Sequence, residues 1–180
     1  MPLVSSKPDR IFLVGPMGVG KTTIGRMLAR ELRLDFVDCD HEIELRCGAN
    51  IPWIFDVEGE EGFRLRETQV LEDLTQQPGI LLATGGGAVL RSENREYLKH
   101  RGIVIHLDSD VDLLVKRTSK DKKRPLLQNT NPRQVLERIK RERDPLYREV
   151  SDIRIFVGEN SSRKAANQII QKMKNEGFLE

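Results

Sequence analysis

Residues 15–22 read Gly15-Pro16-Met17-Gly18-Val19-Gly20-Lys21-Thr22. The pattern is G-x-x-x-x-G-K-[ST], and each residue type in it has a physical task. The glycines let the backbone wrap tightly, with positive φ where a Cβ would clash. Successive N–H groups then point inward and cradle phosphate oxygens. Lys21 can reach the β- and γ-phosphates of a nucleotide, and the Thr22 hydroxyl can ligate Mg²⁺. The flanks support this reading. Ile11-Phe12-Leu13-Val14 is a short apolar run suited to a buried strand, and Ile24, Met27, Leu28 and Leu32 recur at helical spacing. A strand feeding a helix N-terminus is where a phosphate is best held. The competing reading, a glycine-rich turn with an incidental lysine, explains neither flank.

Further along, strands are expected at 11–14, 35–37, 80–83, 103–107 and 153–157. Helices are expected near 21–33, 64–76, 91–100, 110–118, 133–143 and 163–175, with Pro145 bending or ending the fifth. Alternation of strand and helix argues an α/β fold with a parallel sheet covered on both faces. Two segments interrupt it. Residues 41–63 are acidic and helix-prone, and residues 118–132 are polar, basic and punctuated by proline. A loop that long inside a compact domain is usually functional or mobile.

The 180 residues are expected to form one domain, and 32% charged with 38% hydrophobic residues is a soluble, globular balance. No apolar stretch is long enough to span a bilayer, and the first residues lack a signal-peptide core. The two cysteines, Cys39 and Cys47, form no CxxC pair and read as thiols in a reducing cytoplasm. The net charge of +2 hides an asymmetry: residues 116–148 hold twelve Lys/Arg against four Asp/Glu. Interleaved aromatics for nucleic acid are missing, so ATP is the more economical polyanionic partner. No coiled-coil heptads appear, and the chain is expected to be a monomer without nucleic-acid or membrane partners.

Asp38-Cys39-Asp40 follows the second strand. Two carboxylates so placed can face one cleft, one holding hydrated Mg²⁺ and one meeting an acceptor hydroxyl. Asp38 as a plain helix cap is the alternative. Thr84-Gly85-Gly86-Gly87-Ala88 follows the third strand, and three glycines make sense if the main chain must approach a ligand closely. Arg64 and Glu67 share a helix face, and an arginine there can grip a carboxylate with two hydrogen bonds. A surface salt bridge is its plainer alternative. Arg124 lies in the basic loop and could close over a transferring phosphoryl group. Arg143 stands beside Pro145, where the plainer role is interaction with a helix end. His41, His100 and His106 share no metal-ligand spacing, and Trp53 and Phe55 read as packing residues.

In this order the pieces resemble the shikimate kinase family: Gly15 to Gly25, Asp38-Cys39-Asp40, Phe63-Arg64-Leu65-Arg66-Glu67, Gly85-Gly86-Gly87, Arg124-Pro125-Leu126-Leu127 and Arg143-Asp144-Pro145-Leu146-Tyr147. The first alone would say only nucleotide; the combination is far more specific. The resemblance implies a P-loop, nucleoside-monophosphate-kinase-like three-layer fold with a five-stranded parallel sheet. It also implies a substrate-binding insertion at about 41–67 and a mobile lid at about 118–132. The implied reaction is transfer of a phosphoryl group from ATP to the 3-hydroxyl of shikimate, in chorismate and aromatic amino-acid biosynthesis. Gly18, Val19, Gly20, Lys21, Thr22 and Thr23 would bind the ATP phosphates, with Thr22 and Asp38 holding Mg²⁺. Arg117 and Asn160 would flank the adenine. Asp40 would hold the acceptor hydroxyl; Lys21 and Arg124 would stabilise the transferring charge. Arg64 and Arg143 would clamp the shikimate carboxylate, with Glu67 bracing Arg64 and Gly85, Gly86 and Gly87 offering backbone contacts. Cys39 departs from the Ser or Thr frequent at its position and should be neutral if it points away. Another small-metabolite kinase of the same fold, such as a gluconate kinase, is the nearest rival. A nucleotide-binding regulatory protein without catalysis is the rival from another class, against which the Asp38, Asp40 and Arg124 set argues.

Overall fold

Alternation within one strand decides the layering. Strand β1 (Arg10–Val14) sends Ile11 and Leu13 into one core cluster and Phe12 and Val14 into another, all fully buried. A strand apolar on both faces must be covered on both. The structure, a computed structural model, describes residues 8–119, 131–159 and 161–180. After β1 come α1 (Lys21–Leu32), β2 (Asp35–Asp38), α2 (Cys39–Cys47), α3 (Ile51–Leu74), β3 (Ile80–Ala83), α4 (Ser92–Arg101), β4 (Ile103–Asp108), α5 (Val111–Thr118), α6 (Pro132–Val150), β5 (Ile153–Phe156) and α7 (Ser162–Asn175). The five strands form one parallel sheet in the order β2-β3-β1-β4-β5. Ile24 and Leu28 of α1 and Ile169 and Met173 of α7 pack on one face. Ile43 of α2, Leu71 and Leu74 of α3 and Leu98 of α4 pack on the other. The expected three-layer α/β fold is therefore present, and each expected strand agrees to within one residue at either end.

Two helices differ from expectation. A helix is expected near 64–76 after a merely helix-prone segment at 41–63, and α3 joins the two by beginning at Ile51, where the Asn50 side chain accepts from Trp53 N at 2.9 Å. Gly59, at φ 71° and ψ 179°, breaks α3 into two segments that no single apolar period spans. Phe55 packs against Phe63 with ring centroids 4.9 Å apart, but Trp53 is 49% exposed and is not the packing residue expected. The second difference is α6, which runs through Pro145 to Val150 instead of ending there. A mid-helix proline forfeits one backbone hydrogen bond. Docking offsets that loss. Helix α6 starts in the α1/α7 layer with Leu136 and Ile139 and finishes in the opposite layer with Tyr147 and Val150. Tertiary burial on both faces outweighs a local propensity. Most of the segment 118–132 lies outside the described residues.

An ionic cluster holds the middle of α6 to the end of β4. Asp108 receives Lys140 Nζ at 2.7 Å and Arg154 Nη2 at 2.5 Å, and Lys140 also reaches Asp144 at 2.6 Å. His106 lies within the same cluster, one of its ring nitrogens and one carboxylate oxygen each of Asp108 and Asp144 lying within 4.8 Å of one another. The Lys140 ammonium already sits on both carboxylates, so the cluster is balanced without a metal ion. Burial alone would raise the Asp108 carboxyl, but the hydrogen bonds from Lys140 and Arg154 outweigh it and hold it at about 2 instead of 3.8. A folded value below the unfolded one means stabilisation that is present at neutral pH and lost as pH falls from about 4 through about 2. Asp108→Asn should cost on the order of 2 kcal/mol at neutral pH and flatten the loss of stability across that acid window. Urea unfolding at neutral pH and within the window measures it; identical acid dependence in both proteins would contradict the assignment.

Candidate active site

Parallel strands put all their carboxyl ends on one edge, and ligands gather there. A cleft of about 830 Å³, including its open mouth, lies along that edge. Gly18, Gly20, Lys21, Thr22, Thr23, Asp38, Asp40, Gly85, Gly86 and Arg117 line it, as do Met17, Thr84 and Ser162. The loop after β1 has the backbone its sequence requires, with positive φ at Gly18 (83°) and Gly20 (105°). Lys21 Nζ donates to the carbonyls of Gly15 at 2.7 Å and Pro16 at 3.0 Å, so its charge lies over the loop. Val19 is fully buried and does not line the cleft. Its carbonyl accepts from Arg117 Nη1 at 2.9 Å, which draws α5 onto the loop.

Asp38 is the cap its plainer reading expects, and it also reaches the loop after β1. One carboxylate oxygen caps α2 by accepting from His41 N at 3.2 Å, and the other accepts from Thr22 Oγ1 at 2.8 Å. Asp40, in the first turn of α2, faces the same cleft. Between them Cys39 turns into the core, fully buried. Burial first, then the charges of Glu67, Asp40 and Asp38, pushes its thiol well above the ordinary range. It therefore stays neutral.

Behind the glycines lies a second group of charges, which does not line that cleft. Arg64 is 7% exposed and Glu67 is 0% exposed; they pair at 2.9 Å, with Glu60 a further partner of Arg64 at 3.3 Å. The pair is buried, so the surface salt bridge is the wrong description. Burial pushes the Glu67 carboxyl up, against the pull of Arg64 and then Arg143. Glu67 Oε2 and Arg64 Nε have no hydrogen-bond partner among the described residues. Arg143 is 5% exposed and lies in the interior of α6, not at a helix end. No carboxylate among the described residues comes within 4.0 Å of it.

The triple glycine explains how these groups approach one another. A Cβ on Gly87 would stand 2.4 Å from both terminal nitrogens of Arg64. One on Gly85 would stand 2.8 Å from Asp40 Oδ1 and 2.9 Å from Glu67 Oε2. One on Gly86 would stand 3.4 Å from Arg143 Nη1. The glycines thus let the protein's own charged side chains close on the chain, where the sequence suggested only a ligand. The sequence reading gave no role to Met17, Thr84 or Ser162. The position of Met17 and Thr84 just beyond the ends of β1 and β3, and of Ser162 at the start of α7, is the signal that could have found them. Arg124 and Asn160 lie outside the described residues.

Known proteins match this arrangement. The shikimate kinase family model matches residues 17–174. The shikimate kinase of Vibrio parahaemolyticus is 57% identical over 163 residues, covering 91% of this chain and 95% of the relative. A structure of shikimate kinase from Acinetobacter baumannii in complex with shikimate superposes with a TM-score of 0.92 at 52% identity, covering 93% of this chain and 94% of that one. A gluconokinase from Sinorhizobium meliloti, at TM-score 0.57 and 13% identity, shares the fold alone. With the family model matching residues 17–174 and a relative 57% identical over 91% of the chain, the chain belongs to the shikimate kinase family.

Proposed function

We propose that this chain transfers a phosphoryl group from ATP to the 3-hydroxyl of shikimate, giving shikimate 3-phosphate and ADP for aromatic amino-acid biosynthesis. The observation that carries the acceptor is Arg143. A buried guanidinium without a carboxylate partner is costly. With Arg64 against the adjacent glycine, it supports a site for an anionic group held by two planar forks. The shikimate carboxylate has that chemistry. Gluconate does too, but the family match and the neighbour that binds shikimate favour shikimate over it.

In this reading the loop at Gly18 to Thr23 holds the ATP phosphates on its N–H groups and on the N-terminus of α1. Lys21 would move from its carbonyl partners onto the phosphates and follow the charge of the transferring group. Asp40 would hold the acceptor hydroxyl in line and take or share its proton. Arg64 and Arg143 would clamp the carboxylate, and Glu67 would keep Arg64 in place. Phosphoryl transfer depends mainly on such positioning and charge stabilisation. Thr22 and Asp38 present hard oxygen donors 2.8 Å apart, the type Mg²⁺ prefers. They would hold that ion, which when bound neutralises phosphate charge. Arg117 would lie against the adenine. Residues 41–67 would form the substrate-binding insertion within a single domain. The lid at 118–132 with Arg124, and Asn160 on the adenine side, rest on the motif resemblance alone. The reading takes the enzyme to act as a cytoplasmic monomer without nucleic-acid or membrane partners; among the described residues no helix is long and apolar enough to cross a membrane.

ADP release coupled to a reporter, with Mg-ATP and either shikimate, gluconate or no acceptor, tests the function. Turnover only with shikimate is expected; turnover with gluconate alone would overturn the acceptor, and none with any acceptor would favour a regulatory protein. Gly87→Ala tests the glycine wall. Its new methyl group displaces the Arg64 fork and should raise the shikimate KM about tenfold or more while leaving the ATP KM within about twofold. An unchanged shikimate KM would remove Arg64 from the clamp.

A further inference from the structure

Tyr147 lies one turn after Arg143 on α6 and is 1% exposed. Its O–H donates to the Gly86 carbonyl at 2.5 Å. Its ring packs 5.1 Å from that of His106 in β4, tilted by 36°. Burial holds His106 at about 4, so it is a neutral platform near pH 7. The contact of Tyr147 with Gly86 has no substitute. The Gly86–Gly87 peptide is the central one of a turn closed by Ala88 N donating to Gly85 O at 3.1 Å, and the next turn is closed by Leu90 N donating to Gly87 O at 3.1 Å; neither bond uses the Gly86 carbonyl. No backbone donor among the described residues reaches the Gly86 carbonyl. A peptide between two glycines rotates freely unless something holds it. In a trans peptide the C=O and N–H point in opposite directions. Holding the Gly86 carbonyl toward α6 therefore turns the Gly87 N–H away from α6. One turn earlier on the same helix, Arg143 brings its Nη1 to 3.4 Å from where a Cβ on Gly86 would stand.

We propose that Tyr147 is a positioning residue for the acceptor: its O–H latches the Gly86–Gly87 peptide and sets the turn of α6 that carries Arg143. The proposal rests on the shikimate reading above. A purely packing role would need only the ring, and the hydroxyl separates the two. Tyr147→Phe keeps the ring and removes the latch.

The experiment measures KM for shikimate and for ATP, kcat and melting temperature in the parent, Tyr147→Phe, Arg143→Lys and the double variant. One lost buried hydrogen bond corresponds to roughly a tenfold change. The expected result is a shikimate KM raised about tenfold by Tyr147→Phe, with the ATP KM within about twofold. In the Arg143→Lys background the further rise should shrink to about twofold, because both changes act through one contact. A shikimate KM within twofold of the parent, a full additive effect in the double variant, or equal losses for both substrates through instability would each overturn the proposal. A parent that turns over gluconate and not shikimate would instead sink the acceptor reading.

Discussion

Close approach of charge to bare main chain is the constraint on which this site depends. Asp40, Glu67, Arg64 and Arg143 come from three different helices, and all converge on Gly85–Gly87. Any side chain on Gly85 or Gly87 would push one of them away. That loop stands at the carboxyl end of β3, next to β1 in the sheet, so it also faces the phosphate loop. One short segment therefore joins the Gly15–Thr22 side of the cleft to the buried arginines. Convergence of this kind needs a parallel sheet, since only parallel strands deliver every loop to the same edge.

Charge in the chain divides between two uses. The basic run at 116–148 suggested a field for a polyanion, but part of it is structural. Lys140 is taken up by Asp108 and Asp144, and Arg133 by Asp112. These pairs hold α6 in place as it passes from one layer to the other. Arg117 and Arg143 are set apart. Among the described residues Arg117 reaches backbone carbonyls only, and Arg143 meets no carboxylate within ion-pair distance. Positive charge left uncompensated beside a cleft is what an anionic substrate requires.

Local patterns made much of this legible in the sequence. The strands were readable because each is a short apolar run between turn residues, as at Ile80-Leu81-Leu82-Ala83. The phosphate loop was readable because its glycines and lysine have fixed offsets. What stayed hidden was tertiary. Pro145 reads as a bend or a stop, and only burial of Tyr147 and Val150 shows why α6 continues. Arg64 reads as a grip for a carboxylate or as a surface residue among acidic neighbours, and its burial rules out only the second. The Gly59 break conceals the first half of α3, because apolar periodicity changes phase across it. Tyr147 appeared in a motif without a task, since its partner lies 61 residues away.

The most direct measurement is a crystal structure of this protein with shikimate bound. The account predicts the carboxylate within hydrogen-bond reach of both Arg64 and Arg143, the ring against Gly85–Gly87, and one hydroxyl at Asp40 facing the phosphate loop. A carboxylate bound away from both arginines, or a hydroxyl turned away from Asp40, would contradict it.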